Sequence, residues 1–348
     1  MRLRELPGRL KAAHRGSDIL PRLEHFDGWM DRAQAERADL ADYDHAETVR
    51  EYYDLCGELM VFGWSESLHF APLLPHESLE ESQARHQRLM IDKLELQEGM
   101  RVIDVGCGIG GPMRRVAREA GVSVLGVNYS DLQLERARAL SAEAGLGHVT
   151  DFLSCSFMDM DAIADETFDR GYAIESTCHA PDKAGAFAEI YRVLRPGALF
   201  WGQEMCMTDR FAAGDSRHQA IKRDLMHGIA LKDIATTVEV DRALESVGFE
   251  VIEGIDRAVP QNGTTTPWYQ PMEGMGARPG RWGDAVRRIP AGRKVAAGAL
   301  RLAEVLRVLP AGSADIVRLM DGTARAYVAG GTTGIFTPLY CFLARKPL

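Results

Sequence analysis

Residues 101–111 read Arg-Val-Ile-Asp-Val-Gly-Cys-Gly-Ile-Gly-Gly, and the fold is decided there. Val102, Ile103 and Val105 give Arg101 to Val105 the apolar, β-branched character of a short buried strand. Gly106, Gly108, Gly110 and Gly111 then turn the chain, Pro112 follows, and Met113 to Ala120 have helical character. Proline suits the first turn of a helix, where its missing N–H removes no hydrogen bond. Strand, glycine turn and helix form the plan of a nucleotide-type site. Glycines let a ligand approach the backbone closely, and the helix N-terminus presents free N–H groups.

Working outward, strand and helix patterns alternate. Strand Val122 to Val127 precedes a helix from Asp131 to Ala144, and strands follow at His148 to Phe152 and Phe168 to Ile174. A helix at Lys183 to Leu194 leads through Arg195-Pro196-Gly197 into strand Ala198 to Glu204. Helices at 216–231 and 237–247, strand Phe249 to Asp256 and a final strand Phe336 to Ala344 complete the series. The alternation predicts an α/β fold, a Rossmann-like parallel sheet with helices on both faces. Residues 1–80 read as a helical arm and cap, with a helix at Glu47 to Leu59, and a helix at Ser82 to Leu94 opens the core. The core then covers 81–257, a mainly helical insertion over the substrate pocket covers 258–331, and the last core strand lies in 332–348.

The chain has 348 residues and a net charge of -9, which argues against nucleic acid as the main partner. Its six cysteines, at 56, 107, 155, 178, 206 and 341, form no C-x-x-C pair and no zinc-ligand spacing, so no metal site is expected. They read as reduced thiols of a cytoplasmic protein. The N-terminus is charged with no apolar signal segment, and no apolar run approaches the ~20 residues that span a bilayer. In the helical pattern at 294–308, Leu302, Val305, Leu306 and Leu309 fall near one face, with Arg301 and Arg307 elsewhere. Packing on its own domain is the reading preferred over a membrane-surface helix.

A glycine turn alone does not identify the ligand. A P-loop is excluded because no Gly-Lys-Ser/Thr follows. With Asp104 before it, the run resembles the first motif, D-x-G-x-G-x-G, of class I S-adenosylmethionine (SAM) methyltransferases, whose sheet ends on an inserted antiparallel strand. The resemblance then narrows to the sterol 24-C-methyltransferases, from about Tyr52 to Pro347. Five segments carry it: Tyr52-Tyr53-Asp54-Leu55 with Phe62-Gly63-Trp64 and His69-Phe70-Ala71-Pro72; Asp104 to Pro112; Tyr172-Ala-Ile-Glu175-Ser-Thr-Cys-His179-Ala-Pro181; Glu189 to Gly197; and Ile335 to Pro338 through Ala344 to Pro347.

The resemblance implies SAM as cofactor and S-adenosylhomocysteine as product. Asp104, Gly106, Gly108 and Gly110 would line the methionine part of SAM. Asn128, ending the second strand, would hold the ribose hydroxyls, because an amide can both donate and accept. Gln133 and Tyr53 match cofactor-contacting residues of the related cyclopropane-forming enzymes, although each suits an ordinary cap or surface position as well. Phe157 and Met158 would flank adenine.

Such enzymes methylate a carbon–carbon double bond, leaving a carbocation on the acceptor, then a hydride shift and loss of a proton. The methyl and alkene must be aligned within about 3–3.5 Å. The cation needs π faces or carboxylates around it, and the last proton needs a base. Glu175, His179 and Glu204 are expected to form a polar cluster at the carboxyl ends of neighbouring strands, orienting a sterol hydroxyl or acting as base. Phe62, Trp64, His69, Met205 and Asp224 are the expected substrate contacts.

The departures from the family fall among those contacts. Its Tyr-Glu-Tyr-Gly-Trp is Met60-Val61-Phe62-Gly63-Trp64 here, its Tyr-Glu-Trp is Gln203-Glu204-Met205, and an acid-rich segment aligns with Met226 to Lys232. SAM use is therefore better founded than sterol specificity. Another isoprenoid, an indole or a phenol is an alternative acceptor, and a non-catalytic SAM- or lipid-binding protein is an alternative of another class. A hydrophobic small-molecule substrate is the partner implied. The sequence leaves room for a homo-oligomer and for transient membrane contact.

Overall fold

The structure is a computed structural model that describes residues 4–15, 18–34, 45–258, 266–273 and 290–348. Residues 259–265 and most of the Gly- and Arg-rich stretch after them lie outside the described residues. By internal packing the chain separates into two units. One comprises Met1–Ser65, Phe211–Asp233 and Pro267–Ile335; the other comprises Glu66–Arg210, Ile234–Thr266 and Phe336–Leu348. Residues 211–233, read above as part of the core, thus fall in the first unit.

The second unit is built on seven strands: β1 (Arg101–Val105), β2 (Ser123–Asn128), β3 (Thr150–Ser154), β4 (Phe168–Ile174), β5 (Leu194–Met207), β6 (Glu250–Asp256) and β7 (Phe336–Arg345). Their order is β3-β2-β1-β4-β5-β7-β6. The pairings of β1 through β5 are parallel, and β7 runs antiparallel between β5 and β6. The expected fold class therefore holds, including the antiparallel last strand. β5 runs on to Met207 rather than ending at Glu204 as predicted, since pairing with β7 continues through Met207↔Phe336.

Helices of this unit cover both faces: α4 (Leu79–Lys93), α5 (Gly111–Ala120), α6 (Asp131–Glu143), α7 (Lys183–Val193) and α9 (Thr237–Ser246). α4 starts at Leu79, three residues before the expected Ser82, because Ser78 and Glu81 close a capping box, their side chains satisfying each other's backbone N–H. Thr236 and Glu239 do the same for α9. On one face Ile103, Val105, Phe187, Phe200, Phe249 and Phe342 form a buried cluster; on the other, Met90, Val102, Met113, Val124, Tyr172 and Trp201 do so. The split follows from strand alternation, since Val102 and Ile103, and likewise Phe200 and Trp201, point to opposite faces.

The first unit is helical: α1 (Leu6–Ala13), α2 (Ile19–Gln34), α3 (His45–Gly63), α8 (Ser216–Gly228), α10 (Pro290–Val305) and α11 (Ser313–Thr333). α3 is longer than read from sequence and carries Phe62 in its last turn. The Tyr52 hydroxyl of α3 and the Thr323 hydroxyl of α11 both donate to Gly228 O, at 2.7 and 2.9 Å, tying the end of α8 to two helices. Of the apolar residues expected to pack α10 onto its domain, only Leu309 is buried; Leu302, Val305 and Leu306 are exposed.

Candidate active site

The glycine turn links β1 to α5. Gly106 has φ 81°, and a Cβ there would lie 2.3 Å from Ser176 Cβ, so the β1 and β4 loops touch only because residue 106 is glycine. The Ser176 hydroxyl donates to Val105 O across the same contact. Gly108 also has positive φ, and a Cβ there would meet nothing within 4 Å, so this part of the turn faces open space. Arg114 braces the turn from behind, donating to Ile109 O at 2.6 Å and pairing with Glu66 at 2.7 Å.

Asp104 lies at the base of the turn, buried, and accepts a 2.9 Å hydrogen bond from the Tyr172 hydroxyl, its register partner on β4. Burial raises its carboxyl pKa to about 7 against the opposing Tyr172 bond. Such a group is relieved by a cationic partner. Asn128 ends β2 and donates to Gln133 Oε1 at 2.7 Å, while its own Oδ1 accepts from Ser130 N–H at 3.3 Å. The structure thus joins two of the expected cofactor residues into one amide pair at the start of α6. Open turn, helix N-terminus, buried acid and amide pair fit SAM, which carries cationic sulfonium and ammonium groups and a vicinal diol.

The Phe157 ring is buried in the cluster with Ile163, Phe168 and Phe187, and Met158 packs against the same cluster. Tyr53 is half-buried in the helical unit, edge-on to Tyr52 with ring centroids 5.3 Å apart.

Glu175 follows β4 with φ 52°, a left-handed conformation rare for a non-glycine residue and common at functional sites. Its N–H donates to Gln203 O at 2.8 Å. Its Oε1 accepts from Phe70 N–H and from Gln203 Nε2, each at 2.6 Å. Both donors converge on one oxygen, so among the described residues Oε2 has no hydrogen-bond partner. Burial drives the carboxyl pKa well up; the Phe70 and Gln203 bonds pull it down, and the nearby Glu204 adds to the rise.

A neutral polar chain backs this carboxyl. Gln203 Nε2 also reaches Phe70 O at 3.2 Å and Pro338 O at 3.1 Å, which fixes the amide orientation. Gln203 Oε1 therefore accepts from His86 Nε2 at 2.7 Å, which fixes that tautomer too. Pro338 sits at the register shift between β5 and β7, where a residue without N–H is tolerated. His69 donates from Nδ1 to Phe70 O at 2.7 Å and accepts at Nε2 from Gln87 at 2.8 Å. Burial lowers His69 to about 4 and His86 to about 3, so both are neutral near pH 7. His69, expected to touch substrate, thus has both ring nitrogens engaged by protein and shapes the 67–70 turn.

The expected Glu175–His179–Glu204 cluster takes a different form. Gln203 and Glu204 are successive strand residues, so their side chains leave opposite faces of β5. Gln203 meets Glu175, whereas Glu204 is fully buried, accepts from the Thr177 hydroxyl and pairs with Lys183 Nζ at 2.9 Å. Burial lowers the Lys183 pKa, and the Glu204 charge more than offsets this, leaving it raised. His179 ends a short 3-10 turn, Thr177–His179, so it shares no α-helical face with Glu175. Met205 is buried on β5.

In the helical unit, Phe62 and Trp64 are half-buried at the end of α3, and Asp224 is exposed on α8. Asp224 borders a cavity of about 730 Å³ that His227, Asp27 and Thr323 also line. Sequence reading missed Gln203 as a Glu175 partner, together with His86 and Lys183. A signal for His86 existed: α4 buries Ser82, Gln83, His86 and Gln87, a polar stripe at helical spacing.

Sheet order, glycine turn and buried acid define a class I SAM-dependent methyltransferase. The family model described as mycolic acid cyclopropane synthetase matches residues 29–272, and that described as sterol methyltransferase C-terminal matches 284–348. Among solved structures, a cyclopropane synthase from Mycobacterium tuberculosis is similar with TM-score 0.64 at 20% identity, covering 87% of this chain and 99% of that one. A sterol 24-C-methyltransferase of Eremothecium gossypii is 38% identical over 93% of this chain and 86% of its own length. A cycloartenol-C-24-methyltransferase of Arabidopsis thaliana is 38% identical over 95% of this chain and 96% of its own. The chain belongs to the sterol 24-C-methyltransferase family and is a SAM-dependent C-methyltransferase.

Proposed function

We propose that the acceptor is the side-chain alkene of a sterol or triterpenoid and that Glu175 takes the final proton. The observation that carries this reading is the Glu175 carboxyl: strained backbone, Oε1 held by two donors, Oε2 left for a ligand, beside the glycine turn. The relatives named for C-24 methylation of sterols and of cycloartenol support the acceptor class. SAM, when bound at the glycine turn, supplies an electrophilic methyl group.

We assign roles to this chain's residues that the geometry supports. Asp104 balances positive charge at the cofactor, and the Asn128–Gln133 pair holds a diol. Phe70 N–H and Gln203 orient Glu175 and restrain its proton affinity, while burial keeps that affinity high enough for a base. An ionised Glu175 near a developing cation stabilises it electrostatically. Glu204, whose oxygens are engaged by Lys183 and Thr177, holds the Ser176–His179 turn in place behind Glu175, its charge satisfied by the lysine.

The test is incubation with labelled SAM and a panel of Δ24 sterols and acyclic isoprenoids, with products identified by mass spectrometry. Alkylated sterol is the expected product. Turnover confined to a non-sterol would replace the acceptor, and such an outcome would be traced to Met60–Trp64 and Gln203–Met205.

A further inference from the structure

The end of α10 and the turn that follows it expose apolar side chains that the fold does not use. Leu302, Val305, Leu306 and Val308 are 58, 78, 64 and 46% exposed, whereas Leu309 is buried. A contiguous exposed apolar surface marks an interaction site. Its charged neighbours are basic: Arg301 and Arg307 are exposed beside it. The only acid of residues 290–309 is Glu304, and its Oε1 is turned away to accept from Ala314 N–H at 2.7 Å at the start of α11. The next acid along the chain, Asp315, pairs with Arg301 at 3.4 Å and with Arg318 at 3.0 Å. The same sign extends along the sequence, where residues 274–309 hold eight Arg and Lys against two Asp and Glu, in a chain whose net charge is -9.

We infer that this face docks on an anionic lipid surface. Apolar residues would enter the boundary between headgroups and acyl chains, and the arginines would sit at headgroup level. That is the arrangement of helices lying in a membrane interface. Among the described residues no helix is long and apolar enough to cross a membrane, so contact is peripheral. Charge decides against a second copy of the chain as the occupant. A two-fold pair would bring Arg301 and Arg307 against their own copies, whereas an anionic bilayer complements them. The inference rests on exposure and charge alone and stands whichever acceptor is methylated.

The test is co-sedimentation of the full chain with vesicles of phosphatidylcholine alone and of phosphatidylcholine mixed with phosphatidylglycerol. Binding to the mixed vesicles is expected to be tighter by about tenfold or more and to weaken as salt is raised. Joint replacement Leu302→Ser, Val305→Ser and Leu306→Ser should lower it by about tenfold or more. These side chains are exposed, so the melting temperature and SAM binding should stay at wild-type values. An Arg301→Gln, Arg307→Gln variant keeps the apolar face and should lose the preference for phosphatidylglycerol, which tests the idea if the serine variant folds poorly. No vesicle binding, or equal binding by wild type and both variants, overturns the inference. So does a wild-type dimer that the serine variant converts to monomer in sedimentation velocity, which would assign the face to self-association.

Discussion

The two faces of β5 bury two glutamates with opposite surroundings. On one face Glu175 is met by neutral donors only, the Phe70 N–H and the Gln203 amide, backed by neutral His86. On the other, Glu204 meets the ammonium of Lys183 and the Thr177 hydroxyl. Neutral donors restrain a buried carboxyl's proton affinity without cancelling it; a cation at 2.9 Å satisfies the charge and fixes the side chain. The comparison separates a group suited to exchanging a proton from one suited to holding a loop, though both lie toward the carboxyl ends of the neighbouring strands β4 and β5.

The largest test of that division is Glu175→Gln. The amide is isosteric but cannot take a proton, and turnover is expected to fall by about a thousandfold or more. SAM affinity by calorimetry should change by less than about threefold, because Glu175 lies outside the Asp104 and Asn128–Gln133 contacts. Wild-type turnover would remove Glu175 from the chemistry.

Next in size is Lys183→Met, which strands the buried Glu204 charge. Urea unfolding should show a loss of about 3–5 kcal/mol, as for other broken buried pairs, and adding Glu204→Gln should restore much of it. If Lys183→Met alone were neutral, Glu204 would not be held as argued. Gln203→Leu probes the neutral side. It removes a donor that lowers the Glu175 pKa, so the acidic limb of the pH–rate profile should move to higher pH, with kcat reduced by about tenfold. An unshifted profile with an unaltered kcat would exclude Gln203 as a positioning residue.

The smallest effect concerns Asp104. Its pKa is raised by burial to about 7, so in the free protein it carries a proton below that pH. Cationic SAM favours the ionised form, and binding below pH 7 must therefore release a proton. Affinity should weaken as pH falls through about 7, by up to about tenfold per unit, and Asp104→Asn should bind more weakly with a flatter pH profile. Equal pH profiles for wild type and variant would show that Asp104 does not face the cofactor's charge.

What could be read from the chain followed the range of the interactions. The glycine turn, Asp104 and the Asn128–Gln133 pair lie within a few residues of strand ends, so their spacing encodes their geometry. The Glu175 site did not yield in the same way. Its donors are 105 residues away at Phe70 and 28 residues away at Gln203. The cluster expected at Glu175, His179 and Glu204 grouped residues by strand end, whereas the alternation of β5 sends neighbours 203 and 204 to opposite faces.

By itself the sequence determined the α/β architecture, the use of SAM and the family, because periodicity and turn chemistry are local and the family's segments are contiguous. Only the tertiary structure decided which carboxyl meets neutral donors and which meets a lysine, and which apolar residues of α10 stay in water. Those outcomes depend on burial and on partners brought together across the chain, and no spacing within one segment records them.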